Sequence, residues 1–323
     1  TTALLAKLLI LARKLPFSDG SGILVISHTN TAVDEIKEKI GKYCPGLFSY
    51  PNFCGTIQSF TDEFLAKPYY SKKYNKRIIR IDNEIYYDSH YIPGAARAWL
   101  ANQQNGGETI LRDSRLFGTD DLRYGFSDTR FPLNNKTSAT YLAIVDLKNK
   151  IRQKGFLCYD DAYILGFEYL EKIPLVKVLL QKRFSYVFVD EMQDMDKHQY
   201  ELLEKIFWDD GNGISKYQRI GDKNQAIYNG DAQLETIWNS RVQVLELNGS
   251  HRLSAKIANV VQPMALSPIN VIGQQKNDDG TDISIKPHLI VYGDTTITQV
   301  IPKFAEIIET LRTGNLVSLN PYL

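Results

Sequence analysis

A short apolar run that ends in two consecutive carboxylates constrains this 323-residue chain more than any other feature. From Ser185 the sequence reads SYVFVDEMQD. Tyr186 to Val189 is aromatic and β-branched, the pattern of a strand buried on both faces. Asp190 and Glu191 follow at once, then Met192, Gln193 and Asp194. An open α/β sheet binds its ligand outside the carboxyl ends of its strands, where these acids would stand. One carboxylate there can hold a Mg²⁺ through its water shell, and its neighbour can orient or deprotonate an attacking water. A strand that merely ends in a solvated acidic turn has the same local sequence, so the decision falls to the rest of the chain.

Hydrophobic residues make up 43% and charged residues 23%, as in ordinary globular proteins, and the length allows two domains or one with a large insertion. A net charge of +1 gives no global basic field, so any nucleic-acid site must be a local groove. Cys44, Cys54 and Cys158 are odd in number and form no C-x-x-C pair. That speaks against a disulfide framework or a zinc site and suits a reducing, cytoplasmic setting. No apolar run reaches the length of a membrane span and no signal peptide is visible, so no membrane partner is expected.

Thr1 to Lys14 (TTALLAKLLILARK) is apolar and helical, stopped by Pro16, Asp19 and Gly20. Alone it is a buried helix. Ahead of a nucleotide site it reads as the helix after a phosphate-binding loop, with Thr1 as the hydroxyl that meets Mg²⁺. GILVIS (Gly22 to Ser27) predicts a strand leading through His28-Thr29-Asn30 into a helix whose Val33, Ile36 and Ile40 share one face. Phe53 to Ile57 predicts a second strand, followed by Gln58-Ser59-Phe60 and a helix to about Leu65. Small polar residues at such strand ends line a site or cap the next helix, and the sequence leaves both open. Lys67 to Arg80 has six cations, no acid and three interleaved tyrosines, Tyr69, Tyr70 and Tyr74. This is either a single-strand groove or a solvated basic surface on an inserted subdomain. Asn102 to Asn135 reads as loop. Beyond Gly155, helices are predicted over Tyr159 to Leu170 and Lys197 to Trp208, and strands over Tyr217 to Ile220, Val242 to Leu247 and Leu289 to Tyr292. Each of the earlier strands hands polar residues to one edge, the doubly wound pattern.

Five segments in order carry a family resemblance: SHTNTAVDEI (Ser27 to Ile36), GTIQSF (Gly55 to Phe60), VDEMQD (Val189 to Asp194), GDKNQAIY (Gly221 to Tyr228) and LNGSHRLS (Leu247 to Ser254). The chain resembles the front half of a superfamily 1 DNA helicase of the UvrD/Rep type. The resemblance implies an α/β fold: a RecA-like P-loop NTPase lobe with a parallel sheet (1–66 and 155–246), an inserted, mainly helical accessory subdomain (67–154) and the start of a second RecA-like lobe (247–323). It further implies ATP and Mg²⁺ as cofactors, with Gly-Lys of a phosphate loop before Thr1. Asp190 and Thr1 would hold the metal, Thr1, Thr2, Gln225 and Arg252 the nucleotide, and Glu191 the hydrolytic water. Gln225 would sense the γ-phosphate, and Arg252 would neutralise charge on the transferred phosphoryl. His28, Thr29, Asn30, Thr56, Ser59 and Tyr228 would contact single-stranded DNA. Departures are Gln58 for a common His, His251 for a common Tyr or Phe, and Asn229-Gly230-Asp231-Ala232 where the family carries Trp-Arg-Gly-Ala.

The implied activity is ATP-driven movement on single-stranded DNA, 3′-to-5′, with unwinding at duplex junctions. One alternative is a DNA-dependent motor subunit without strong unwinding, working with a nuclease in DNA repair or phage defence. The other is a DNA-binding module with a vestigial ATPase.

Overall fold

The structure, a computed structural model, describes residues 2–126, 131–226, 241, 243–265, 270–277, 279–283 and 285–314. The chain divides into two compact units, Thr1–Trp238 and Asn239–Leu323.

The first unit is built on four parallel strands: β1 (Gly22–Ser27), β2 (Phe53–Thr56), β3 (Phe184–Val189) and β4 (Lys216–Arg219). They stand in the order β2-β1-β3-β4, with Ile26 opposite Gly55 on one side and Val189 on the other, and Val189 opposite Arg219. All six residues of β1 are buried, which is why its sequence is a continuous apolar run rather than an alternating one. On one face Ile23, Val25 and Phe188 meet α1 (Thr2–Ala12) and α2 (Asn30–Ile40). Leu4, Leu8 and Leu11 of α1, and Val33, Ile36 and Ile40 of α2, recur at three- and four-residue spacing, so each helix turns one apolar stripe to the sheet. On the other face Leu24, Ile26, Val187 and Val189 pack beneath four helices. These are α3 (Ile57–Thr61), α5 (Tyr159–Lys172), α6 (Leu175–Arg183) and α7 (Lys197–Leu203), and α4 (Ala139–Gln153) precedes them in the inserted segment. Each fully buried aliphatic or aromatic side chain contributes about 1.5–3 kcal/mol, so the two layers account for the sheet being sandwiched.

Helix α3 runs on through a π-turn (Asp62–Ala66) into a helix at Lys67–Tyr74. Beyond it the chain forms a core of its own around Leu100, Leu111, Leu116, Leu122, Tyr141 and Ile144. The expectation of loop over Asn102 to Asn135 is overturned in part. A short helix (Glu108–Asp113) leads into a hairpin of Ser114–Phe117 with Asp121–Tyr124. Its turn uses Gly118 at φ +61°, and Leu116 and Leu122 supply the buried face. Scattered Gly and Asp hid a hairpin whose apolar positions are few.

Helix α4 places Lys148 in this core with no exposed surface. Its ammonium donates to the Leu111 carbonyl and to His90 Nε2 at 2.8 Å, and stands 5.0 Å from the Tyr86 ring. Burial, then repulsion from Arg115, pulls the ammonium down to about 7, and burial, then Lys148, pulls His90 down to about 4. A lysine with a depressed folded value binds fewer protons than it does unfolded, between about pH 7 and 10.5. Its burial therefore costs stability below pH 7, and the cost is relieved as pH rises. Denaturant titrations of the wild type should show stability rising by about 1 kcal/mol per pH unit from pH 7 to 9 relative to Lys148→Met. Equal slopes in the two proteins would contradict a desolvated ammonium.

The second unit holds a parallel pair, Gly249–Ser250 with Ile272–Gly273, and helices at Ala255–Val261 and Val300–Thr313. The strands expected over Val242 to Leu247 and Leu289 to Tyr292 are not formed among the described residues. Val244, Leu245, Leu289 and Val291 are exposed there, and among the described residues no strand pairs with these runs. Among the described residues no helix is long and apolar enough to cross a membrane.

Candidate active site

The carboxyl edge of the sheet gathers the residues of interest. Pairing continues past the end of β3: the Asp190 N–H donates to Ile26 O at 2.8 Å, and Ile220 N–H to Val189 O at 2.8 Å. Met192 N–H then closes onto Ile220 O at 3.0 Å, so the chain has to turn at Glu191. Glu191 does so at φ +51°, ψ +43°, a left-handed conformation that costs a non-glycine residue about 1–3 kcal/mol. Met192 and Gln193 of the following 3₁₀ turn are buried beneath it. The strained turn thus holds two adjacent carboxylates at a sheet edge in different settings.

Asp190 is 3% exposed. Burial raises its carboxyl above the ordinary carboxylate range, and the negative charges of Glu191 and Glu35 add to the rise. A cation is what would keep such a group ionised, so Asp190 suits a divalent metal. No cluster of three or more His, Cys, Asp or Glu that would hold a metal occurs among the described residues. One carboxylate is nevertheless what Mg²⁺ commonly takes from protein when phosphates and water supply the remaining ligands. Thr2 is exposed at the start of α1, and Thr1 lies outside the described residues.

Glu191 accepts a hydrogen bond from Gln193 Nε2 at 2.6 Å. Gln193 Oε1 in turn accepts from Asp222 N–H at 3.1 Å. Asp222 accepts from Gln225 Nε2 at 2.9 Å through one carboxylate oxygen and from Asn224 N–H at 2.9 Å through the other. The turn after β4 is thereby tied to the turn after β3 through the Gln193 side chain, and Gln225 stands exposed at its end. Tyr228, Asn229 and Gly230, where the base-stacking site was expected, lie outside the described residues.

At the end of β1, Ser27 is buried with no partner for its hydroxyl, and His28 is half-buried with Nδ1 unpartnered. Asp194 Oδ1 is likewise buried without a partner. The Asp194 carboxyl is raised by burial and then by Glu191, and His28 opposes the shift. Polar atoms orphaned in this way are uncommon in folded proteins, and three of them lie near Asp190 and Glu191. Thr29 and Asn30 are exposed, and Thr29 Oγ1 caps α2 by accepting from Ala32 N–H at 3.2 Å. Thr56 caps α3 by accepting from Ser59 N–H at 3.1 Å, and Ser59 Oγ donates back to Thr56 O at 2.8 Å. Gly55 is required there, because a Cβ would meet Ser59 Oγ at 2.7 Å. Both readings of these residues are compatible with this geometry: the hydroxyls cap helices and stand at the same edge.

The tyrosines of Lys67 to Arg80 do not form a stacking groove. Tyr69 and Tyr70 are buried, Tyr69 against the Tyr169 ring at 5.3 Å and Tyr70 donating its hydroxyl to Arg152 O at 2.6 Å. Lys67 pairs with Glu63 and Lys73 with Glu168, acids that lie outside the run and were invisible to a local count of charge. Arg252 belongs to the second unit, exposed between the Gly249–Ser250 strand and a helix capped by Ser254. Gln193 and Asp222 are the site residues to which the sequence motifs gave no role. Both stood inside quoted motifs, and only the fold shows that the Gln193 side chain meets the Asp222 backbone N–H.

The UvrD/REP helicase N-terminal domain family matches residues 1–241. The chain is 23% identical over 237 residues to ATP-dependent DNA helicase Rep of Buchnera aphidicola subsp. Schizaphis graminum, covering 71% of this chain and 33% of that protein. It is 22% identical over 287 residues to DNA helicase II of Haemophilus influenzae, covering 81% and 36%. An 86-residue stretch is 36% identical to RecBCD enzyme subunit RecB of Mycolicibacterium smegmatis, covering 26% and 8%. The chain spans about a third of the length of the first two relatives.

Proposed function

The chain belongs to the UvrD/REP helicase family, and on that premise we propose that it is the front part of a motor that couples ATP hydrolysis to movement on single-stranded DNA. Its sheet lobe is the RecA-like P-loop fold of that family's N-terminal domain. The observation that best supports the motor reading is the edge where buried Asp190 and turned-out Glu191 meet the Asp222–Gln225 turn.

Asp190 is the residue to hold Mg²⁺ of MgATP, which when bound neutralises phosphate charge. Glu191 orients the attacking water and takes its proton. Gln225, on the linked turn, meets the γ-phosphate. By the family resemblance, Arg252 supplies positive charge to the transferring phosphoryl, and Thr1 and Thr2 bind the nucleotide. His28, Thr29, Asn30, Thr56 and Ser59 are the contacts to single-stranded DNA along this edge, and Tyr228, outside the described residues, is a further contact by the family resemblance. The polarity is 3′-to-5′, with unwinding at duplex junctions. The accessory insertion is taken as 67–154.

The similarity to a RecBCD enzyme subunit favours a second reading, a DNA-dependent motor that works within a larger assembly containing a nuclease. Steady-state ATPase assays on the full-length protein with and without single-stranded DNA test the common core of both readings. Stimulation of about tenfold or more is expected, with rates inside the usual enzymatic range of about 1–10³ s⁻¹. Hydrolysis indifferent to DNA would sink the motor reading. Strand-displacement assays then separate an independent helicase from a motor that needs its partner.

A further inference from the structure

Gln193 is 2% exposed, and both ends of its amide are engaged. Nε2 donates to Glu191 Oε2 at 2.6 Å, and Oε1 accepts from the Asp222 N–H at 3.1 Å. Only one orientation of the amide serves both contacts. Flipped, it would set its carbonyl against a carboxylate and its NH₂ against an N–H, leaving buried polar groups unpaired. The hydrogen bond to Glu191 has an ionised acceptor, the stronger and more orienting kind. It is needed because Glu191 sits on a left-handed turn, and a glutamate has several rotatable bonds between its backbone and its carboxylate. A carboxylate that must meet one water molecule loses rate when it wanders, since small misplacements cost large factors in catalysis. The far end of the same amide reads the Asp222 turn, whose carboxylate holds Gln225 at 2.9 Å.

We propose that Gln193 is a positioning residue that fixes the Glu191 carboxylate for attack and ties its aim to the turn carrying Gln225. This rests on the ATPase reading above. Glu191 would do the chemistry, and Gln193 touches neither substrate nor the reacting water. The linkage gives the turn that meets the γ-phosphate a mechanical connection to the carboxylate that directs the water.

The test is the split between kcat and MgATP affinity in DNA-stimulated ATP hydrolysis by the full-length protein carrying Gln193→Met, which keeps a similar volume and removes both hydrogen bonds. Its kcat should drop about 10- to 100-fold, a share of the general-base contribution, with MgATP affinity nearly unchanged. The same substitution made on top of Glu191→Gln should cost little more, because the carboxylate that Gln193 positions is already gone. A loss as large on the Glu191→Gln background as on wild type marks a merely structural role and overturns the proposal, as does a fall in MgATP affinity with kcat unchanged. Gln193→Asn, too short to reach Glu191, covers the case in which Met prevents folding, and a wild-type kcat in it also overturns the proposal. Absence of DNA-stimulated hydrolysis in the wild type is a different failure, visible before any variant is made, and it removes the ATPase reading itself.

Discussion

Replacing Glu191 with Gln is expected to lower DNA-stimulated ATP hydrolysis about 10²- to 10⁴-fold, the usual worth of a general base. MgATP affinity should stay within about threefold, because the lost interaction belongs to the transition state. The substitution keeps shape, and the new amide oxygen can still accept from Gln193 Nε2, as Oε2 does now at 2.6 Å. The left-handed backbone at φ +51° also tolerates Gln as well as Glu, so the fold is not at stake. Asp190→Asn should give the opposite split. Its carboxyl is raised by burial and by Glu191, and a neutral amide removes the charge that Mg²⁺ would satisfy. Nucleotide binding should then lose its metal dependence while metal-free binding changes little. Stopped-time hydrolysis assays and nucleotide titrations with and without Mg²⁺ distinguish the two variants. Near wild-type turnover in Glu191→Gln would mean that the catalytic carboxylate is elsewhere.

The strands at 22–27 and 184–189 were legible in the sequence, because burial on both faces forces apolar runs that end where polar chemistry begins, whereas those at 53–56 and 216–219 are only partly buried and showed mainly through the polar residues that follow them. Asp190 and Glu191 were legible for the same reason. The hairpin at 114–124 was not, since two of its four buried strand residues, Ser114 and Arg115, are polar and Gly118 and Asp120 dominate its local signal. Tyr69 and Tyr70 misled because a tyrosine on a basic helix reads alike whether it awaits a base or fills a core, and only tertiary contact separates the two. The Gln193–Asp222 link was beyond reach because 29 residues separate its members, and parallel strand pairing alone brings them together. The runs at 244–247 and 289–292 show the converse: an apolar β-branched sequence needs a partner strand to form one, and among the described residues neither run has it.

The largest expected effect on stability lies at the root of the inserted segment, where Arg152 of α4 and Asp161 of α5 are both fully buried. Arg152 Nη2 and Nε reach Asp161 Oδ1 at 2.5 and 3.1 Å, and Nη2 also donates to Leu116 O at 2.5 Å. Asp161 Oδ2 accepts from Cys158 N–H at 3.2 Å. The pair therefore joins α4, the hairpin and the start of α5. Burial alone would raise the Asp161 carboxyl, but Arg152 outweighs it and holds the group below the ordinary carboxylate range. A depressed carboxylate stabilises the fold above its unfolded value, about pH 4, and that stabilisation is lost as pH falls further. At neutral pH, Asp161→Asn leaves a buried guanidinium without its counter-charge, which costs about 3–5 kcal/mol. Removing both charges together, as Arg152→Met with Asp161→Leu, should cost far less than the single change, because apolar replacements of a buried pair are often neutral or stabilising. Denaturant unfolding of Arg152→Met, Asp161→Leu and the double variant at pH 7 checks the cycle, with Asp161→Asn measured beside them. A loss below about 1 kcal/mol in Asp161→Asn would mean that water reaches the guanidinium, as for an exposed ion pair. A double variant as unstable as the sum of the singles would mean that Arg152 and Asp161 act independently, through Leu116 and Cys158 rather than through each other.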